Sequence, residues 1–153
     1  MNETDLPYLR RSFQVARRAR ARGNLPFGAV LVSAGCGVLL EGENTAVTER
    51  DCTGHAEINL IREASPRIAP EVLARSTLYA SCEPCAMCAG AIYWGNVGRL
   101  VFGLSTKRLY ELSGTDPAAT PLLLPCREVF SAGMRKVEVV GPVLEEEAAS
   151  VVR

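Results

Sequence analysis

Four residues of this chain have side chains and spacing suited to metal-dependent chemistry. The single histidine, His55, is followed two positions later by Glu57, and Cys85 and Cys88 have the C-x-x-C spacing that lets neighbouring thiolates share one ion. One histidine and two cysteines supply three protein ligands, whereas a structural zinc site needs four and a catalytic site keeps its fourth position for water. The set therefore predicts an open zinc site in which Glu57 is the general acid and base.

The two cysteines are predicted to lie in the first turn of a helix over 84–94. Cys85 and Cys88 are three residues apart, so on a helix they share a face. Pro84 suits the first helical position, because that position does not need a backbone N–H. The free N–H groups and the dipole of a first turn stabilise thiolates, which favours metal binding at this point.

The histidine and the glutamate need a second helix start. His55 and Glu57 are two residues apart, which would point them away from each other on a regular helix. They converge only if they straddle the start of a helix, and Thr53 is the predicted N-cap there. Two helix N-termini aimed at one point would make a site for a dication.

Hydrophobic periodicity and turn residues predict an α/β fold. Apolar runs bounded by Gly, Pro or polar residues predict strands, and apolar residues at three- and four-residue steps predict helices. The predicted strands span 27–33, 38–42, 77–81, 99–103 and 136–140. The predicted helices span 5–22, 53–64, 84–94, 107–112 and 144–152, with loops around 66–70 and over 116–125. A hairpin followed by alternating helices and strands indicates a three-layer α/β/α sandwich with a five-stranded mixed sheet.

Length and composition narrow the function classes. A chain of 153 residues suits a single domain, 1–153, and a net charge of zero gives no long-range field that would favour polyanions. No apolar run approaches the ~20 residues that span a membrane. The polar, acidic start 1–5 is unlike a signal peptide. We therefore expect a cytoplasmic protein with no membrane partner.

Six cysteines raise the question of disulfides or additional ligands. In a reducing compartment, a C-x-x-C downstream of His-x-Glu indicates a metal site. Cys36, Cys52 and Cys126 are scattered along the chain, and we expect each of them to be a small buried hydrophobic residue. Cys82, three residues before Cys85, is the candidate fourth ligand that would close the site and make it a catalytically idle module. We expect its side chain, at a strand end, to pack away from the metal.

An open zinc ion beside a carboxylate suits hydrolytic removal of an amine. Zinc lowers the pKa of bound water from 15.7 toward ~7, which makes hydroxide available for addition to an amidine-like carbon. Glu57 accepts the proton of that water and delivers protons to the ring nitrogen and the departing amine. Burial raises the pKa of a carboxyl group, so one residue serves both steps. The expected products are an oxo group and ammonia.

The motifs His-Ala-Glu at 55–57 and Glu-Pro-Cys-Ala-Met-Cys-Ala-Gly at 83–90 resemble those of the cytidine-deaminase-like superfamily of zinc nucleobase deaminases. The similarity extends over 26–103. It implies the cytidine-deaminase-like fold, a zinc cofactor and a homodimer. The stretches 81–85 and 90–94 resemble bacterial guanine deaminases and related free-base deaminases, whereas tRNA adenosine deaminases share 26–30 and the Cys-Ala-Gly stretch.

Charge helps to choose among these substrates. Six arginines lie between Arg10 and Arg22 on the first predicted helix. A tRNA enzyme needs a phosphate-binding surface, but a solvated arginine-rich face, the neutral chain and the acidic run 145–147 favour a small substrate. We expect a guanine-like nucleobase or small amino-heterocycle. A tRNA-specific adenosine deaminase and a cytosine or triazine deaminase are the alternatives.

Five residues are predicted to bind the substrate. The resemblance implies that Asn44 hydrogen-bonds the base and that Asp116 faces its exocyclic amine. Phe27, equally suited to the core, and Trp94 have rings that stack on planar heterocycles. Ala56 offers backbone groups to the base edge. One glutamate of 145–147 is a candidate second proton shuttle, although a solvated helix start is the simpler interpretation.

Overall fold

The computed structural model describes residues 1–114 and 120–153, which contain one five-stranded mixed sheet. The strands are β1 (Gly28–Ser33), β2 (Gly37–Glu43), β3 (Ser76–Cys82), β4 (Arg99–Leu104) and β5 (Glu138–Val140). Their order is β2-β1-β3-β4-β5. β1 is antiparallel to β2 and β3, while β3, β4 and β5 are mutually parallel. The sheet confirms the predicted five strands and their mixed directions.

Helices cover both faces of this sheet. They are α1 (Asp5–Ala21), α2 (Ala56–Ala64), α3 (Pro70–Ala74), α4 (Ala86–Trp94), α5 (Thr106–Ser113), α6 (Cys126–Ser131) and α7 (Glu145–Val152). One buried cluster joins α1 and α7 to the sheet, and a second joins α2, α4 and α6 to its other face. The inner strand β1, which lies between β2 and β3, is buried along its whole length, as strands covered on both faces are. The predicted three-layer sandwich is therefore confirmed.

The helix starts differ from the prediction by a few residues. α2 begins at Ala56 with His55 as its N-cap, and the predicted cap Thr53 instead bonds the Asp51 carboxylate through both its backbone N–H and its hydroxyl. α4 begins at Ala86, so Pro84 precedes the helix. In both cases the residue that the sequence favoured as the helix start lies in the segment just before the helix.

Two short helices that the sequence did not predict follow the predicted loops. α3 begins at Pro70, and α6 follows Pro125 as its N-cap. Each spans six residues or fewer, too short to show an apolar period in the sequence. Among the residues that the structure describes, no helix is long and apolar enough to cross a membrane.

Candidate active site

Three predicted metal ligands, which belong to the starts of two different helices, come together. The His55 Nδ1 atom is 3.3 Å from Cys88 Sγ and 3.7 Å from Cys85 Sγ. All three ligand atoms lie within 4.8 Å of one another. Tetrahedral zinc, with Zn–S near 2.3 Å and Zn–N near 2.05 Å, separates sulfur from nitrogen by about 3.6 Å. The donor set and its spacing therefore fit a zinc ion.

The backbone around the ligands explains this convergence. His55 is the N-cap of α2 and Cys85 is the N-cap of α4, both with extended φ and ψ angles. The two helices pack against each other, so the positive ends of their dipoles point toward the same place. The Cys88 thiol hydrogen-bonds the sulfur of Cys85 and is the main cause that lowers the pKa of Cys85 to about 4. The hydrogen bond from the His55 ring lowers this pKa further. A thiolate is the form that binds zinc.

Cys82 lies outside the ligand group. Within 1–114 and 120–153, the cluster of potential ligand atoms holds His55, Cys85 and Cys88 and does not include Cys82. Burial raises the pKa of the Cys82 thiol, which keeps it neutral. The described site thus has three protein ligands, the number that a catalytic zinc site uses.

Glu57 is the second residue of α2 and lies in its first turn, beside these ligands. Its side chain is almost closed to solvent, with the residue 6% exposed. Burial raises the pKa of Glu57 above its ordinary value, because a carboxylate loses its hydration there. A carboxyl group with a raised pKa both accepts and returns a proton near neutral pH. The helix start at residues 55–57 places both His55 and Glu57 on the lining of one cavity.

A cavity of about 380 Å³ opens beside the ligand cluster. Its lining comes from the loop after α1, the ends of β2 and β3, the starts of α2 and α4, helix α5 and the segment before α6. The lining residues are Leu25, Phe27, Asn44, His55, Glu57, Cys82, Glu83, Cys85, Thr106, Leu109, Tyr110 and Leu122. Residues that are far apart in the sequence therefore enclose one small space next to the metal ligands.

Two of the predicted substrate-binding residues line this cavity. Asn44 is 1% exposed, and its side-chain oxygen accepts a hydrogen bond from the Ala46 N–H at 3.1 Å. Within the described ranges its side-chain nitrogen has no protein partner, which leaves a donor for a ligand. Phe27 lines the cavity and also packs against both buried clusters. Its side chain therefore belongs both to the wall of the cavity and to the hydrophobic core.

Other predicted residues lie elsewhere. Trp94 is 85% exposed and its ring contacts Tyr93 edge to face. It ends a nine-residue helix that begins at the metal ligands, about 13 Å away along the axis. The structure therefore does not bring Trp94 to the cavity of its own chain. Ala56 is fully buried and does not line the cavity, and Asp116 falls outside the described residues.

The acidic run at the start of α7 also lies apart from the cavity. Glu145 accepts hydrogen bonds from the backbone N–H and the hydroxyl of Ser105. Glu146 pairs with Arg108 and Arg153, and Glu147 pairs with an arginine of α1. The contacts with Ser105, Arg108 and the arginine of α1 join α7 to α5 and α1, and none of the three glutamates lines the cavity described above.

Sequence reasoning missed the wall that α5 contributes. Thr106, Leu109 and Tyr110 line the cavity from this helix, and Leu25 and Leu122 line it from two exposed segments. The local sequence pattern predicted helix α5, but it did not indicate that this helix lines the cavity beside the metal ligands. A tyrosine and leucines in a helix just after a buried strand were the available hint.

Residues 2–104 match the family model for the cytidine and deoxycytidylate deaminase zinc-binding region. The chain belongs to this zinc-dependent deaminase family. The matched range contains His55, Glu57, Cys85 and Cys88, so it includes the complete ligand cluster and the buried carboxylate. Zinc is the metal of this site, and the site belongs to a hydrolytic enzyme.

Relatives in the deaminase family act on different substrates. A probable cytosine deaminase of Schizosaccharomyces pombe is 38% identical over 97% of this chain and 90% of its own length. A tRNA-specific adenosine deaminase of Bacillus subtilis is 34% identical over 94% of this chain and 83% of its own. Family membership therefore establishes deamination and leaves the substrate to be inferred.

Solved deaminase structures share the fold. A guanine deaminase from Nitrosomonas europaea superposes with a TM-score of 0.76, covers 95% of this chain and 80% of its own, and is 23% identical. The guanine deaminase of Bacillus subtilis has a TM-score of 0.62 with 30% identity, over 98% of this chain and 91% of that one. The three-layer sandwich is thus the cytidine-deaminase-like fold.

Proposed function

We propose that this deaminase hydrolyses the exocyclic amine of a free guanine-like base or a small amino-heterocycle and releases ammonia. The observation that carries this proposal is the cavity of about 380 Å³, which joins the metal ligands to Glu57 and Asn44 beneath α5. A cavity of this size accommodates a heterocycle with a single ring or with two fused rings. Apolar walls with a few polar groups are typical of small-molecule sites.

Each residue of the cavity has a proposed role. His55, Cys85 and Cys88 hold the zinc ion, which when bound supplies a Lewis acid that makes water nucleophilic near neutral pH. Glu57 accepts the proton of the attacking water and passes protons to the ring nitrogen and to the leaving amine. Its low exposure keeps bulk water from competing in these transfers.

Two further residues orient the ring. The free side-chain nitrogen of Asn44 donates a hydrogen bond to a ring nitrogen or oxo group of the base. Phe27, fixed by its contacts with both buried clusters, presents an aromatic surface to the ring. Ala56 and Asp116 remain predicted contacts.

The arginine-rich helix argues against a tRNA substrate. Arg11 and Arg18 pair with Glu41, and Arg18 and Arg22 pair with Glu43. Phosphate groups would have to compete with these carboxylates for the same guanidinium groups, which weakens nucleic-acid binding. A free base needs no such surface.

Cytosine is the second candidate substrate, because the probable cytosine deaminase of Schizosaccharomyces pombe is 38% identical over nearly the whole chain. We also propose a cytoplasmic homodimer with one deaminase domain per chain. Trp94 and Met134 are 85% and 99% exposed, and both lie next to Tyr93, which contacts the Trp94 ring and accepts a hydrogen bond from the Met134 N–H. These adjacent exposed side chains support an interface there. All six cysteines are free, which supports a reducing compartment.

A panel assay for ammonia release tests the substrate. The zinc-loaded protein is offered guanine, cytosine, adenine, ammeline and their nucleosides, and an anticodon stem-loop is analysed for inosine in parallel. We expect the highest kcat/KM for guanine or another free heterocycle. Inosine formation in the stem-loop without turnover of any free base would overturn the proposal, and preference for cytosine would support the second candidate.

A further inference from the structure

Glu83 links two helix starts beside the active site. One carboxylate oxygen accepts a hydrogen bond from the Thr106 N–H at 3.1 Å, and the other accepts one from the Cys126 N–H at 3.1 Å. The Glu83 N–H donates to the Leu104 carbonyl oxygen at 2.7 Å, which anchors the residue to the end of β4. The proposed chemistry has no role for this carboxylate, although it lines the same cavity.

The first of these helices needs such an anchor. Within Thr106–Ser113, no residue of α5 is fully buried, and only the partly buried Leu109 and Leu112 pack against a core cluster. Three hydrogen bonds from backbone N–H groups hold the N-terminus of α5 instead. The Thr106 N–H donates to Glu83, the Arg108 N–H to the Ser105 hydroxyl, and the Ser105 N–H to Glu145. Carboxylates at a helix N-terminus are stabilising because they meet free N–H groups and the positive end of the dipole.

The second anchor point holds the chain on the other side of the cavity. Residues 120–125 are exposed and lead into α6. Cys126, the first residue of α6, is fully buried and bonded to Glu83. Leu122, four positions earlier, lines the cavity. The Glu83 side chain thus connects two walls of the cavity, helix α5 and the segment that contains Leu122, to the end of β3 just before the zinc ligands.

We propose that Glu83 is a positioning residue that sets the fit of the substrate. It holds Tyr110 and Leu122 at a fixed distance from the zinc ligands, so the width of the cavity depends on its two hydrogen bonds. This inference rests on the proposed function for its kinetic consequence only. The positioning itself is a property of the folded chain.

Glu83→Ala and Glu83→Gln test this role in the zinc-loaded protein. Hydrogen exchange should become faster by about tenfold at the amides of Thr106 and Cys126 in Glu83→Ala, because both lose their acceptor. The KM for guanine should rise by about tenfold while kcat stays within about threefold, the signature of lost binding that the ground state and transition state share. Glu83→Gln retains one acceptor oxygen and should give smaller changes.

Glu146→Ala is the matched control, because Glu146 also contacts α5, through Arg108, but its side chain is 72% exposed and lies outside the cavity. It should leave exchange and KM unchanged. Unchanged exchange at Thr106 and Cys126 in Glu83→Ala would overturn the inference, as would loss of zinc or a fall in kcat with constant KM. If wild-type protein turns over no free base, the proposed function fails, and the exchange measurement still decides the positioning role.

Discussion

The Cα atom of Gly42 in β2 faces the carbonyl oxygen of Ala56, the first residue of α2. A side chain at Gly42 would collide with this oxygen and with the Cβ atom of Leu60. The absence of a Cβ lets the N-terminus of α2 lie directly on the strand. Since His55 caps α2, this close approach sets how far the histidine ligand lies from the two cysteines.

Gly42→Ala is therefore expected to displace the start of α2. Forcing a methyl group into this contact should lower the free energy of unfolding by about 1–3 kcal/mol and weaken zinc binding. Thermal unfolding and the zinc content after dialysis measure the two effects. Gly90→Ala in α4 is the control, because a Cβ there meets nothing within 4 Å and alanine favours the helix. Equal zinc affinity in both variants would contradict the expected displacement.

Glu57→Ala should separate metal binding from proton transfer. The three zinc ligands remain, so we expect about one zinc ion per chain and a loss of ammonia release of at least about a hundredfold. Metal analysis and a steady-state assay check both values. Glu63→Ala, on the same helix but in an exposed pair with Arg67, should retain full activity. Activity that survives in Glu57→Ala would remove the proposed proton carrier.

Cysteine variants distinguish three zinc ligands from four. Cys82→Ala should keep about one zinc ion per chain, because Cys82 lies outside the ligand cluster. Cys85→Ala removes one of three ligands and should lose most of the zinc and with it the activity. Metal analysis of both purified variants is the measurement. Zinc loss in Cys82→Ala would instead indicate a closed, four-ligand site.

A buried ion pair at the other end of the sheet makes stability depend on pH. Asp5 is 1% exposed and accepts hydrogen bonds from Arg99 at 2.7 and 2.9 Å and from the Tyr79 hydroxyl at 2.8 Å. The bonded Arg99 guanidinium holds the pKa of Asp5 well below its usual range. A depressed folded-state pKa contributes stability above the unfolded pKa of about 3.9 that is lost as the pH falls toward the folded value.

Asp5→Asn should accordingly lower the free energy of unfolding at pH 7 by about 3 kcal/mol, because the partly buried Arg99 keeps only the exposed Glu138, 3.4 Å away, as a counter-charge. The difference between wild type and variant should shrink as the pH falls below 4. Urea unfolding between pH 7 and pH 2.5 measures it. Glu147→Gln, which weakens an exposed pair with Arg10, should show little difference at any pH. A gap between Asp5→Asn and wild type that stays constant down to pH 2.5 would rule out the linkage to Asp5.

The sequence by itself determined the candidate metal ligands, the five strands with five of the seven described helices, and the class of reaction. These features depend on local rules. Ligand type and C-x-x-C spacing follow from zinc chemistry, and apolar periodicity follows from the geometry of helices and strands. The residues His55, Cys85 and Cys88 were recognisable for that reason before their convergence was visible.

Only the tertiary structure decided which residues surround the metal. Trp94 belongs to the zinc helix but lies at its far end, whereas Tyr110 and Leu122 line the cavity from segments more than twenty residues beyond the ligands. The contact between Gly42 and Ala56 and the two bonds of Glu83 join elements that are distant in the chain. The local sequence does not predict such contacts, because they form only when the folded sheet brings the starts of separate helices together near the ends of its strands.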